Sequence, residues 1–265
     1  MDAGRSFRLG LSALAGAGVG ACPAVAQGPG PGPFHVSLGY DGRLILKVLD
    51  IEVEATAAAQ SYSASARLRS LGVLAAFKHF DTRAEARGRI AGGQAWPGTF
   101  HSQNLDGKAN RRTDVVWSPE TVTSTINPPV RSMGDPPATS AQKLEAIDPV
   151  SGVVRVALAA EPCGRTLRFF DGKQRYDLDF TTGAQARPDA REQRLGLTHP
   201  VHCAVKFREV AGFKKKPPSE RNQGLKHPIA VGFARVGANG PWVISSASSQ
   251  TPLGAATITL QRVKP

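Results

Sequence analysis

Three groups of side chains in this chain of 265 residues are of types that do chemistry. The first is His199, His202 and Cys203, whose donor atoms suit a metal. A closed zinc site needs about four donors, and only the distant His101 or His227 could complete one. In an extended chain, neighbours spaced by three and by one point to different faces. Pro200 also stiffens the backbone between the two histidines, so no metal site is expected. The second group is Asp177 and Asp179, two carboxylates on one face of a strand, the usual equipment of glycoside hydrolysis. Arg175 shares that face, and the pattern is that of a solvated hairpin; no catalytic role is expected. The third is Cys163 and Cys203, the only cysteines outside the amino-terminal stretch. The chain has no Gly-x-Ser-x-Gly elbow, no P-loop and no Ser-x-x-Lys. No catalytic residue and no cofactor is expected, and the reading is of a protein that is not an enzyme.

The amino terminus sets the compartment in which those cysteines are read. Arg5 and Arg8 form a basic start, an apolar run rich in small residues follows, and Ala24-Val25-Ala26 makes a small-residue cleavage site. Residues 1–26 read as a secretory signal peptide cut after Ala26. Val19-Gly20-Ala21-Cys22 resembles a lipobox that lacks its usual Leu, which keeps a lipid on Cys22 as the lesser alternative. In an oxidising compartment two remaining cysteines pair. A Cys163–Cys203 disulfide closing about forty residues is worth about 4 kcal/mol in the chain-entropy account. The expected location is the periplasm.

The elements that would position these residues are mostly strands. Residues 27–34 are a Gly/Pro linker with nothing to pack, and a single β-rich domain is expected over 35–265. Ser61 to Gly72 alternates Tyr62, Ala64, Ala66 and Leu68 with Ser or Arg, the period of a half-buried antiparallel strand. Thr82 to Ile90 repeats it with charges outward. Asp-Gly pairs at Asp41, Asp106 and Asp171 suggest hairpin turns, but their flanks differ and no repeat is inferred. Gly72 to Phe80 fits a helical turn or a kinked strand equally well. Asn127 to Ser140 is a proline-rich loop, Arg187 to Arg194 a polar loop, and Lys214 to Gln223 a charged turn. One helix is expected, from an Asp148 cap and Pro149 at its first position through about Ala160. Its apolar stripe is Val150, Val153, Val154, Ala157 and Leu158. The chain has no later run apolar enough to span a membrane as a helix.

The formal charge of +12 raises nucleic acid as a partner, but the basic residues are scattered among acidic ones rather than gathered between aromatics. An Arg-rich surface attracted to anionic envelope polymers fits better. Several stretches together resemble a known family: GYDGRLILKV, RSLGVLAAF, the EARGRI strand, the helix start at Asp148-Pro149-Val150-Ser151 and Pro162-Cys163. FFDGKQRYDL, HCAVKFREVAGF and TPLGAATITL complete the set. They resemble the bacterial envelope family catalogued only as domain of unknown function 3108, across about His35 to Val263. The resemblance implies a periplasmic domain whose curved or spiral, incompletely closed sheet surrounds a helix, and implies no catalytic residue. The expected fold is mainly β, a curved open antiparallel sheet or half-open barrel with one short covering helix. The expected function is support of the cell envelope by binding a protein partner or envelope polymer. The alternative is carriage of a lipid or other apolar ligand in the concave face.

Overall fold

Between Phe34 and Asn127 the chain alternates small apolar with polar residues, and each run of that period forms a strand. The computed structural model describes residues 31–77, 79–105, 110–214, 228–251 and 254–265. The first strands are β1 (Phe34–Arg43), β2 (Lys47–Ala57) and β3 (Ser61–Ser70). A short helix, α1 (Gly72–Phe77), turns into β4 (Asp81–Ala91) and settles the stretch whose conformation the sequence leaves open. Then come β5 (Gln94–Asn104), β6 (Arg112–Trp117) and β7 (Val122–Asn127). Two helices follow, α2 (Ser140–Leu144) and α3 (Pro149–Ala157). The hairpin of β8 (Thr166–Phe170) and β9 (Arg175–Phe180) leads to β10 (Ala184–Gln185) and α4 (Ala190–Arg194). The chain ends in β11 (Leu197–Ala211), β12 (Ile229–Val236), β13 (Trp242–Thr251) and β14 (Gly254–Lys264).

These strands form one 14-stranded sheet in which every strand pairing is antiparallel. The last strand pairs with the first, placing Tyr40 opposite Leu260 and Leu38 opposite Val263. From that pair the sheet grows by hairpins to β7 on one side and back through β11 and β9 to β8 on the other. The ends β7 and β8 do not bond to each other, so the barrel stays open. The chain from α2 to α3 crosses between them. Ile147 N–H donates to Arg168 O at 2.9 Å, Phe170 N–H to Ile147 O at 2.8 Å, and the Trp117 indole to Ala146 O at 3.1 Å. These bonds occupy backbone groups that an open sheet edge would expose.

The inner face explains why a helix fits inside. Ala55 stands opposite Ala64 and Ala64 opposite Ala86, all buried. Short side chains leave space above the sheet, and α3 packs against β3, β4 and β5 there and against β8 and β13 across the interior. Val150, Val154 and Leu158 join Leu38, Phe100 and Val115 in one apolar cluster, while Val156 joins Phe169, Phe233 and Trp242 in a second. Two glycines are required by this packing. A Cβ on Gly152 would lie 2.4 Å from the Phe169 ring, and one on Gly88 would lie 2.7 Å from that of Tyr62.

Several expectations need correction. Among the described residues there are four short helices rather than one, and α3 plugs the interior. The stretch expected as a polar loop contains α4, which has a capping box of Asp189 and Glu192. Asp41-Gly42 lies within β1, and the turn falls at Leu44 to Leu46. Phe34, placed in the linker, begins β1. The Asp171-Gly172 turn is present, with the Asp171 carboxylate accepting from Lys173 N–H at 2.9 Å and Gln174 N–H at 2.7 Å. Residues 1–30 (the expected signal peptide and Cys22 among them), Asp106-Gly107, Lys215 to Gln223 and His227 lie outside the described residues.

Candidate functional site

Both hairpin carboxylates meet arginines; Asp177 is buried, whereas Asp179 stays partly solvated. Register places Asp177 opposite Arg208 on β11. Arg208 Nη2 lies 2.5 Å from Asp177 Oδ2, and Arg175 pairs with the other oxygen through Nη1. Arg175 and Asp177 are both buried, because α2 lies over them and Gln142 O accepts from Arg175 Nε at 3.0 Å. Asp179 accepts from Thr166 Oγ1 at 2.8 Å and from Arg208 Nε at 3.4 Å. Each of the four carboxylate oxygens therefore has a protein donor. The local alternation was read correctly, but the cover over this face was not.

The histidines do not converge. His101 Nδ1 lies 2.7 Å from Asp114 Oδ1, His35 Nδ1 lies 2.9 Å from Thr56 Oγ1, and His199 contacts the Thr198 hydroxyl. His202 points to the outer face, where it lines a hollow with Gly232, Ser246 and Thr257. No group of three metal-ligating side chains occurs among the described residues. Cys163 and Cys203 are bonded, with Cα atoms 6.1 Å apart. The bond fastens the residues ahead of β8 to β11, across the end of β9. Gly183 lies so close that a Cβ there would stand 3.0 Å from Cys163 Sγ.

A polar cluster that sequence reasoning missed lies at the centre. Asp148 caps α3 by accepting from Ser151 N–H at 2.7 Å, and its second oxygen accepts from the Ser151 hydroxyl. Ser151 Oγ in turn lies 2.5 Å from the Tyr62 hydroxyl of β3. Burial raises the Asp148 carboxyl to about 6, against the opposing pull of its Ser151 hydrogen bonds. Burial also pushes the Tyr62 phenol well above its usual value. Only the Asp148 cap was visible in the sequence. A serine beside a carboxylate suggests a nucleophile, but this set has no histidine or lysine base. Asp148 and Ser151 are both 0% exposed, so no substrate reaches them. The cluster fastens the helix to the sheet.

Hollows occur on the outer face. One has a volume of about 250 Å3, with Glu52, Glu54, Arg67, Arg83, Glu85 and Arg262 in its wall. Another, of about 180 Å3, includes His35, Thr56, Ser63 and Arg87. Ligand sites are usually apolar clefts of about 300–1,000 Å3, and these are smaller, open and charged.

The structure thus defines an open, barrel-like β protein built around an internal helix. Over residues 34–187 the chain matches the model of a family described as protein of unknown function, DUF3108, and it belongs to that family. The motifs on β11 and β14 lie beyond the matched residues. Among solved structures, the chain is similar to a β-barrel-like protein of domain of unknown function DUF1849 from Brucella abortus. The TM-score is 0.50 at 10% identity, over 88% of this chain and 98% of that one, a likeness of fold alone. No curated protein matches the chain.

Proposed function

We propose that this is a non-enzymatic protein of the bacterial periplasm, exported by residues 1–26 and supporting the cell envelope by binding a protein partner or an envelope polymer. One observation carries the choice of binder over carrier. The concave interior is occupied by α3, with Val154 and Ser151 0% exposed, and not by open space. Two hollows on the outer face have charged walls, which suits a polar partner better than an acyl chain. The bonded pair Cys163 and Cys203 supports an oxidising compartment. The ion pairs that hold Asp177 and Asp179 to arginines support the reading of a rigid scaffold.

Deleting the gene in its source bacterium tests this reading. Greater sensitivity to detergent and cell-wall antibiotics is expected, restored by the full chain but not by one lacking residues 1–26. A deletion strain as resistant as its parent would overturn the envelope role.

A further inference from the structure

One end of the barrel gathers guanidinium groups that have no carboxylate partner among the described residues. Arg89 ends β4, Arg155 lies in the last turn of α3, Arg165 precedes β8 and Arg235 is near the end of β12. They form a connected group. The guanidiniums of Arg89 and Arg155 each stand 5.4 Å from the centre of the Trp96 ring. Arg155 feels the charge of Arg165. Arg165 donates to Glu161 O at 2.5 Å, and Arg235 to the preceding carbonyl, Ala160 O, at 3.4 Å. The Trp242 indole also donates to Ala160 O, and the Arg235 guanidinium stands 4.5 Å from its ring centre.

What sets Arg155, Arg165 and Arg235 apart is partial burial without a counter-ion. Several other arginines meet carboxylates, as Arg67 does Asp81, Arg69 Asp50, Arg112 Asp114 and Arg208 Asp177, whereas Arg83, Arg87 and Arg131, which show no ion pair among the described residues, are exposed. Among the described residues none of Arg89, Arg155, Arg165 or Arg235 has an ion pair; their acceptors are backbone carbonyls and indole rings. The acid whose field reaches Arg165 and Arg235 is Glu161, which is exposed. The carboxyl end of α3 supplies only about half a negative charge. Desolvation lowers Arg155, Arg165 and Arg235 from the usual arginine range, as expected for cations partly removed from water without a counter-ion.

We propose that this end of the barrel is an anion site that takes a phosphate group, held by Arg155, Arg165 and Arg235 with Arg89 at its rim. The proposal rests on the binding role above and gives the bound envelope component its chemistry. Guanidinium forks match phosphate oxygens and lose less hydration than an ammonium. A single carboxylate would answer one charge and two donors, whereas a phosphate presents several oxygens to arginines arriving from β4, α3, the start of β8 and β12. The phosphate belongs to a lipid headgroup, a phosphorylated polymer or the free ion.

The test compares two double substitutions of equal charge change, R165Q/R235Q at the site and R187Q/R194Q at exposed positions ahead of α4 and at its end. Equilibrium dialysis against inorganic phosphate in moderate salt should show one ion per chain. R165Q/R235Q should bind about tenfold more weakly, the cost of about one charge-assisted contact, while R187Q/R194Q stays near the parent. Should R165Q/R235Q fail to fold, R89Q replaces it, because the Arg89 side chain is exposed and its contact is the Trp96 ring. Phosphatidylglycerol and phosphatidylcholine vesicles separate the sources. Selective retention on phosphatidylglycerol, competed by phosphate, identifies a headgroup; phosphate binding without vesicle retention identifies a polymer or the free ion. Equal weakening in both double variants, or no binding of phosphate or vesicles by the parent, would overturn the anion site. Neither result bears on the deletion phenotype, so the envelope role stands or falls separately.

Discussion

Asp148 does two jobs whose electrostatics conflict. It caps the helix that fills the barrel, and it is taken entirely out of water, which disfavours its charged form. Its folded pKa, about 6, lies above the 3.8 of an ordinary Asp. A group raised in this way holds its proton better in the folded state. Its contribution to stability is therefore full below about pH 4 and is lost as pH rises through about 6, by about 3 kcal/mol. Carboxyls such as Asp81, held low by hydrogen bonds from Arg67, contribute in the opposite direction, so the whole-protein profile mixes the two. Replacing Asp148 by Asn isolates the effect. The amide oxygen still caps Ser151 N–H, and the hydroxyls of Ser151 and Tyr62 can reverse their donation. Melting temperatures at pH 4.5 and 7.5 should show Asp148→Asn gaining on the parent as pH rises; parallel profiles would contradict a buried, raised carboxyl.

At the level of elements, α3 is held by its surroundings more than by its own propensity. Four valines and Gly152 make a poor isolated helix, and its nine residues are too few to stand alone in water. In an exposed helix Gly→Ala gains up to about 1 kcal/mol. At Gly152 the added methyl meets the Phe169 ring, and overpacking costs about 1–3 kcal/mol. Gly152→Ala should therefore lower the denaturant midpoint, and a raised midpoint would show that α3 is not packed against β8. The sequence made α3 visible through Asp148, Pro149 and the valine stripe, and it made most strands visible through their period of two. It did not show where α3 sits, because that depends on alanines brought together from β2, β3 and β4. The α2 and α4 capping boxes, Thr139 with Gln142 and Asp189 with Glu192, were written in the chain, but the helices are too short to show an apolar period. Gly42 looked like a turn residue. It is a strand residue because Leu49 packs over it, and a Cβ there would lie 2.6 Å from that side chain. Arg175 and Asp177 looked solvated because their cover, α2, comes from a distant part of the chain.

Across the whole molecule, one pairing joins the two arms of the sheet and one covalent bond fastens the β8 end of one arm. β1 and β14 bring the first and last strands together, and the disulfide holds the start of β8 to β11. Replacing Cys163 and Cys203 by Ala should cost about 3–4 kcal/mol in chemical denaturation. Mass spectrometry of the unreduced parent should join the peptides of the two cysteines, whereas free thiols at both would contradict the bond. The candidate anion site was only partly legible: the excess of arginine was plain, but its unpaired members gather only where four elements meet. The central claim is that helix α3 makes this barrel a solid binder rather than a hollow carrier. Native mass spectrometry of the protein taken directly from cells tests it most directly. The account predicts no co-purifying apolar ligand, whereas a lipid retained at about one per chain would contradict it.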